Sequence, residues 1–178
     1  MVRSTLRYNE RKILLSMRGK KVRYISSDWY YPNNAMCSNI QLVFSDDQRI
    51  VIREDCFGDD RFPEEEFPRF SIAMSHVNTE HDASFEINSS VDSIHIVTDS
   101  ICWRFKDSPE VSLQADIAVV IGFADGQQFA AQLLDHPIDL MKIYPLVKTS
   151  ALIEDISTLW KMKLEYLISG RRDIHKLN

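Results

Sequence analysis

One stretch of this chain occurs twice, and the repetition limits the folds that the chain can adopt. A shift of 79 positions, from Phe44 to Phe123, aligns the segment FSDDQRI with the segment FADGQQF. Upstream, the same shift places Val22 on Ile101, and apolar positions keep their alternation along the aligned stretch. The chain therefore contains two similar units, and we predict that each forms a strand, a long loop and a hairpin.

Each unit has a turn signal between two stretches of alternating apolar residues. Asp46 and Asp47 separate these stretches in the first unit, and Asp125 and Gly126 separate them in the second. The Asp-Gly pair is the stronger signal, because both central residues of a type I′ turn need a positive φ angle. We therefore predict a two-stranded hairpin at each position, with a firmly set register in the second.

Apolar residues recur at helical spacing near both ends of the chain. The segment Arg3–Arg18 places four of them on one face, with Gly19 as a stop signal: Leu6, Ile13, Leu14 and Met17. The segment 137–170 has a broader apolar stripe, formed by Leu152, Ile156, Leu159, Trp160, Leu164, Leu167 and Ile168. Gly170 closes this stripe, as glycine commonly does at a helix C-terminus. We therefore predict a helix in each segment.

These patterns predict an α+β fold with a mostly antiparallel sheet. The sheet is built from two similar strand-loop-hairpin units at about 20–53 and 99–133, with the aligned repeat itself covering 20–53 and 99–132. An N-terminal and a C-terminal helix flank it, and no helix separates the strands as parallel winding would require. All 178 residues fit a single domain, 1–178, since one core typically serves a chain of this length.

Composition narrows the class of protein. Apolar residues make up 44% of the chain, which is enough for a core, and the first residues resemble no secretion signal. No apolar run reaches the length of about 18 residues that a bilayer requires, so we expect no membrane association. The three cysteines are an odd number without close spacing, which favours reduced thiols in the cytoplasm over a disulfide framework.

The charge is unevenly distributed along the chain. Residues 1–23 carry eight Lys or Arg and one Glu, whereas residues 54–100 carry twelve Asp or Glu and two Arg. Such a field attracts a partner of opposite charge and raises its association rate, unless folding brings the two segments together and cancels it. The net charge of −5 argues against nucleic-acid binding, despite the basic N-terminal end.

Two segments combine aromatic side chains with polar ones, as protein interfaces do. One is the predicted loop after the first strand, and the other is the acidic stretch 54–70, which two prolines make non-helical. Aromatic anchors beside charges form many interface hot spots, although such aromatics also fold back over a sheet. The predicted partner-binding residues are Trp29, Tyr30, Tyr31, Asp59, Asp60, Phe62, Glu64, Glu65, Glu66 and Phe67.

A second interpretation is catalytic. The residues His76, His81 and His95, near Glu80 and Asp82, are ligand types that zinc and iron use, although their spacing fits no helix-borne motif. The carboxylates of the first hairpin offer paired acids for a hydrolase. The chain has no nucleophile elbow, no phosphate-binding P-loop and no dinucleotide fingerprint. We therefore predict neither a catalytic residue nor a cofactor.

Together these observations favour a non-catalytic, cytoplasmic protein-binding module with a basic protein partner. A fitting example is an immunity-type inhibitor that masks a basic toxin such as a nuclease. One alternative is a small metal-dependent or small-ligand enzyme that uses the hairpin carboxylates and His76, His81 or His95. The other is a homodimeric structural protein whose sheet edges pair.

Overall fold

The computed structural model describes residues 1–31, 36–76, 83–104, 106, 109–134, 141–147, 156–160 and 166–178. At 29–31, 62–66, 83, 145–147 and 157–158 it describes the backbone alone. The fold is mostly β, with 70% of the described residues in strands and 8% in helices, and the described part of its mixed sheet includes one parallel pairing. The predicted α+β class with two flanking helices is therefore wrong.

The described part of the chain contains ten strands and two short helices. In chain order they are β1 (Val2–Ser4), α1 (Tyr8–Leu15), β2 (Lys21–Tyr31), β3 (Met36–Phe44), β4 (Arg49–Asp59), β5 (Phe62–Ser75), β6 (Ala83–Trp103), β7 (Val111–Phe123), β8 (Gln128–Leu133), β9 (Met141–Val147), α2 (Ile156–Leu159) and β10 (Leu167–Lys176).

Six strands pair in a closed ring with the order β3, β2, β6, β7, β8 and β9, and every pairing is antiparallel. The link from β9 back to β3 is short, with Met36 opposite Lys142 and Cys37 opposite Met141. The remaining strands add to the rim of this ring. β4 and β5 extend from β3, β10 lies along β6, and β1 runs parallel to β7.

Alternate residues of the ring strands form one apolar core. All six strands contribute to it: Val22, Ile25, Ile40, Leu42, Phe44, Ile94, Ile96, Val119, Ile121, Phe123, Phe129, Ala131, Leu133, Met141 and Ile143. Side chains of a strand alternate between its two faces, so this set defines the inward face of the ring. Leu6, Leu14 and Met17 belong to the same core, which places α1 and its flanking residues against it.

A second apolar core lies on the outward face of β6 and β7. Val97, Ala118 and Val120 form part of it, together with Val2 of β1 and Phe67 of β5. Because β7 buries side chains on both faces, its sequence reads as a nearly continuous apolar run. The N-terminal strand and the β4–β5 hairpin are thereby held on the same side of the ring.

The two predicted hairpins have matching turns. The Phe44 amide donates to the Gln48 carbonyl at 3.0 Å, and the Phe123 amide donates to the Gln127 carbonyl at 2.9 Å. In each turn an aspartate Oδ1 accepts the amide two residues later, from Gln48 at 3.2 Å and from Gln127 at 3.0 Å. Asp47 and Gly126 occupy the same left-handed position, with φ angles of 60° and 83°.

The strand that pairs with the second hairpin is not the one that the 79-residue offset of the repeat predicts. Val22 lies opposite Phe44, and Val91, not Ile101, lies opposite Phe123. The amides of Ser45 and Ala124 donate at 2.9 Å to the carbonyls of Lys21 and Ser90, in that order. Lys21 and Ser90 are themselves paired between β2 and β6, so a local twofold relation connects the two units.

The helices at the two ends are much smaller than predicted. The N-terminal helix covers Tyr8–Leu15 and not Arg3–Arg18, because Val2–Ser4 pairs with β7 instead. In the predicted helical segment 137–170, the described residues form β9, the four-residue α2 and the start of β10. β10 forms because the 21-residue β6 offers a free edge that the backbone of 167–176 pairs with.

Candidate functional site

The β4–β5 hairpin extends beyond the ring of strands. β4 pairs with β3 only through Arg49–Arg53, whereas its pairing with β5 continues to Asp59 opposite Phe62. Residues 54–70, predicted as a solvent-facing excursion, are thus the distal half of an ordered hairpin. A paired hairpin holds its tip in a fixed position, which favours its use in recognition.

Phe67 anchors this distal half to the body of the protein. Its side chain is 1% exposed, and its ring centroid lies 5.6 Å from that of Phe57 and 6.5 Å from that of Trp103. Buried aromatic pairs at such distances stabilise the packing of the strands that carry them. Phe67 therefore belongs to the second core, and we leave it out of the partner-binding surface.

The hairpin tip carries Asp59, Asp60 and Arg61. The carboxylate of Asp59 accepts hydrogen bonds from the Arg61 Nε at 2.8 Å, Nη2 at 2.6 Å and backbone amide at 3.0 Å. The hydrogen bonds from the Arg61 side chain, followed by the one from its backbone, lower the pKa of Asp59 to about 2. Asp59 is thus ionised and held by Arg61, while Asp60 is exposed to solvent.

The other predicted partner-binding residues have a described backbone only. Trp29, Tyr30 and Tyr31 end β2, where Trp29 pairs with Cys37 and Tyr31 with Met36, so they are strand residues and not a loop. Phe62, Glu64, Glu65 and Glu66 lie in the first part of β5. Their side chains lie outside the described part of the structure.

An ion pair joins the basic N-terminal segment to the acidic segment 54–100. In this pair the basic segment contributes the acid and the acidic segment contributes the arginine. Arg69 Nη2 of the acidic segment lies 3.1 Å from Glu10 Oε1 of the basic one, and both side chains are 9% exposed. Three cations of residues 1–23 pair with acids outside 54–100: Arg11 with Asp116, Lys20 with Asp46 and Arg23 with Asp47. These pairs leave the exposed Asp55 and Asp60 of the hairpin unneutralised by that segment.

A cleft separates residues 3–7 from the hairpin. Its volume is about 290 Å³, and it is lined by Arg3, Ser4, Thr5, Arg7, Phe57 and Arg69. The strand β1 holds Ser4 inward, where its hydroxyl donates to the Pro68 carbonyl, so Arg3 points outward from the same strand. In the sequence, Arg3 and Arg7 belong to a basic segment with a predicted helix, and no local pattern connects them with Phe57 or Arg69.

Several buried carboxylates have structural partners. Asp116 accepts hydrogen bonds from Thr98 Oγ1 at 2.6 Å, the Leu6 amide at 2.9 Å and Arg11 Nη2 at 3.1 Å. The half-buried Asp28 binds the amides of Ser38 and Asn39 at 3.1 Å and 2.7 Å. Asp28 connects β2 with β3, and Asp116 connects β6 and β7 with α1 and the residue Leu6 before it; such saturated groups stabilise a unique arrangement of strands.

The histidines of the catalytic interpretation lie in separate parts of the fold. His76 follows the end of β5, and His95 lies in β6 opposite Val120 and Lys176, with β4, β3 and β2 between the two strands in the pairing order. His81 lies outside the described residues. Among the residues that are described, no group of three His, Cys, Asp or Glu side chains is placed to hold a metal ion.

The chain matches no protein-family model, no curated protein and no solved structure. Within the described residues, neither helix has the length and apolar character needed to span a membrane.

Proposed function

We propose that this chain is a non-catalytic protein-binding module of the cytoplasm, and that the tip of the β4–β5 hairpin engages a basic protein partner. An immunity-type inhibitor that masks a cationic toxin such as a nuclease is the specific form of this proposal. The observation that supports it most directly is the extension of the paired hairpin past Arg53, with the exposed Asp55 and Asp60 on its distal half.

The construction of the hairpin suits this role. Phe57 and Phe67 fix its distal half against Trp103, so little conformational entropy is lost when a partner binds the tip. Negative charge on a projecting element attracts a cationic surface and raises the association rate, with the effect screened by salt over about 10 Å. Complementary charge of this kind mainly gives specificity and rapid association.

The roles of the buried acids are consistent with a binding protein. Asp116 and Glu10 each bind an arginine and a backbone amide, which keeps these carboxylates engaged within the fold. A general acid or base needs an accessible group within reach of a substrate. Among the described side chains, Asp55 and Asp60 are the exposed acids of the hairpin, and charged groups at a protruding tip suit recognition.

The experiment compares charge reversal at the hairpin with charge reversal elsewhere. The variant Asp55→Lys/Asp60→Lys is matched with Glu86→Lys/Asp92→Lys, which reverses two exposed acids on β6 and gives the same net charge. Each immobilised protein is used to capture partners from native lysate, and each captured protein is purified and titrated against both variants.

The proposal predicts that a basic protein binds the wild-type chain and the β6 variant but not the hairpin variant. Captured proteins that lack a basic surface, or equal affinities for the two variants, would contradict the role of the hairpin. Circular dichroism of all three proteins establishes that each variant retains its β-sheet content.

A further inference from the structure

The cleft beside the hairpin is lined by positively charged side chains, whereas the hairpin tip carries an exposed acid. Of the lining residues whose side chains the structure describes, three are arginines and the others are Ser4, Thr5 and Phe57. None of these described lining side chains is acidic. The site is therefore a separate feature of the molecule, and the partner-binding proposal does not account for it.

Only one of the three arginines is neutralised by a neighbouring acid. Arg69 at the buried end of the cleft binds Glu10, which also accepts the Arg7 amide at 2.6 Å. Arg3 and Arg7 are exposed, and no carboxylate pairs with either guanidinium in the described part of the chain. Among the described side chains, the cleft thus contains two positive charges that no acid compensates.

Neighbouring groups preserve this excess of positive charge. Asp59, which lies on the same hairpin as Phe57, is held by Arg61, and Asp116 is held by Arg11. Helix α1 begins at Tyr8, directly after Arg7, so the positive end of its dipole lies beside the cleft. All these contributions favour a negatively charged occupant.

The volume limits the size of that occupant. About 290 Å³ corresponds to roughly ten water molecules at liquid density, and it lies at the lower limit of small-molecule sites. A protein loop or an oligonucleotide is too large to enter. A small oxyanion fits, because guanidinium groups bind phosphate and carboxylate through paired, charge-assisted hydrogen bonds.

We propose that this cleft binds a small oxyanion, a phosphate or carboxylate group of a small molecule, between the guanidinium groups of Arg3 and Arg7. Ser4 and Thr5 line the path to Arg69, and Phe57 provides an apolar wall for the remainder of the ligand. Because the ligand contacts both the N-terminal segment and the hairpin, its binding stabilises their packing and raises the thermal stability of the folded chain.

The experiment uses pyrophosphate and citrate as probes, in isothermal titration calorimetry and in thermal unfolding of the full chain. The variant Arg3→Ala/Arg7→Ala removes the two uncompensated charges. Its control, Arg18→Ala/Arg53→Ala, removes two exposed arginines outside the cleft and gives the same net charge. Unliganded unfolding midpoints of both variants establish that each is folded.

We expect at least one probe to bind the wild-type chain and the control with similar affinity. The cleft variant should bind about tenfold or more weakly, since each lost charge-assisted bond is worth about a factor of ten. Binding of pyrophosphate alone assigns a phosphate group, and binding of citrate alone assigns a carboxylate. Absence of binding by both probes, or equal weakening in the two variants, would overturn the proposal.

Discussion

Arg172 forms a bidentate ion pair with Asp99, with 2.7 Å from Nε to Oδ1 and 2.8 Å from Nη2 to Oδ2. The indole Nε1 of Trp160 donates to the same Oδ2 at 2.8 Å, and Asp99 is fully buried. One carboxylate in β6 therefore holds β10 and the residue that follows α2. This contact adds a buried side-chain anchor to the backbone pairing of β10 with β6, and most other side chains of β10 are exposed.

The first prediction concerns this ion pair. Arg172→Ala leaves the charge of Asp99 buried with Trp160 as its remaining side-chain donor, and we expect the free energy of unfolding to fall by about 3 kcal/mol. Urea denaturation measures the change. The neighbouring Arg171, which is 76% exposed and pairs with Asp173, is the control, and Arg171→Ala should leave the urea midpoint unchanged. Equal effects of the two substitutions would contradict a structural role for the buried pair.

The second prediction concerns the pair formed by Glu10 and Arg69. Arg69→Met leaves the buried carboxylate of Glu10 without its arginine, and we expect the free energy of unfolding to fall by about 3 kcal/mol. Glu10→Met/Arg69→Met removes both charges, so the free energy of unfolding should fall much less. A double-mutant cycle by urea denaturation measures the coupling between the two residues. Additive effects of the two single substitutions would show that the ion pair does not stabilise the packing of α1 on β5.

The third prediction compares the two hairpin turns. Gly126→Ala places a Cβ atom at a φ of 83° and should destabilise the fold by about 1 kcal/mol. Asp47→Gly relieves the same left-handed conformation in the other turn and should change the stability by less than about 0.5 kcal/mol. Thermal and urea unfolding of both variants test this. A larger loss from Asp47→Gly would mean that the Asp47 side chain, which pairs with Arg23, stabilises its turn.

The fourth prediction concerns Cys37. Burial, followed by the charges of Asp28 and Glu54, raises the pKa of the Cys37 thiol from 9.0 to about 12. The thiolate is the reactive form, so Cys37 should resist iodoacetamide at pH 8 until the chain unfolds, whereas the half-buried Cys56 should react in the native state. Mass spectrometry of the labelled peptides distinguishes the two sites.

The same shift gives the protein a dependence of stability on pH. The folded pKa is above the unfolded value, so the native state keeps the proton more tightly, and stability is lost as pH rises from about 9 towards 12. The variant Cys37→Ala should lose less stability over this range than the wild-type chain. Identical slopes in urea titrations would contradict the assigned cause.

Local patterns in the sequence were sufficient for the positions of the hairpin turns, but not for the strand before them or for the turn type, since Gly126 has a positive φ angle and Asp125 does not. Asp46 and Asp125 accept a nearby amide of their own turn, and this local chemistry can be read from a few residues. The partner of Phe123 is decided by the whole sheet. Val91 lies opposite Phe123 as Val22 lies opposite Phe44 in the first unit. An offset of 79 does not align these two valines, so the sequence similarity could not reveal this pairing.

The predicted C-terminal helix was wrong because its apolar residues have different roles. Trp160 is buried beside Asp99, while Ile168 is 55% exposed on a strand. Apolar spacing predicts a helix only when one face of it is buried. β10 is stabilised mainly by backbone pairing with β6, which leaves no periodic signal in the side chains.

The arginine-lined cleft could not be predicted because its residues come from distant parts of the chain. Arg3 and Arg7 are brought to Phe57 and Arg69 by the parallel pairing of β1 with β7 and by the ion pair with Glu10. Neither contact follows from a local pattern. The aromatic-acidic character of 54–70 predicted a non-helical binding segment, but it did not reveal that the segment forms two paired strands or that Phe67 is buried.

The pairing of Lys21 with Ser90 at the centre of two equivalent hairpins has a consequence for protein engineering. One half of the chain contributes β2 and the other contributes β6, and the two strands pair in antiparallel orientation. The same pairing is available to two separate polypeptides that each carry one of these strands. A break between Ser75 and Ala83 leaves β2 and β6 on different fragments. Reassembly of two such fragments would join any two proteins fused to them through the pairing of β2 with β6.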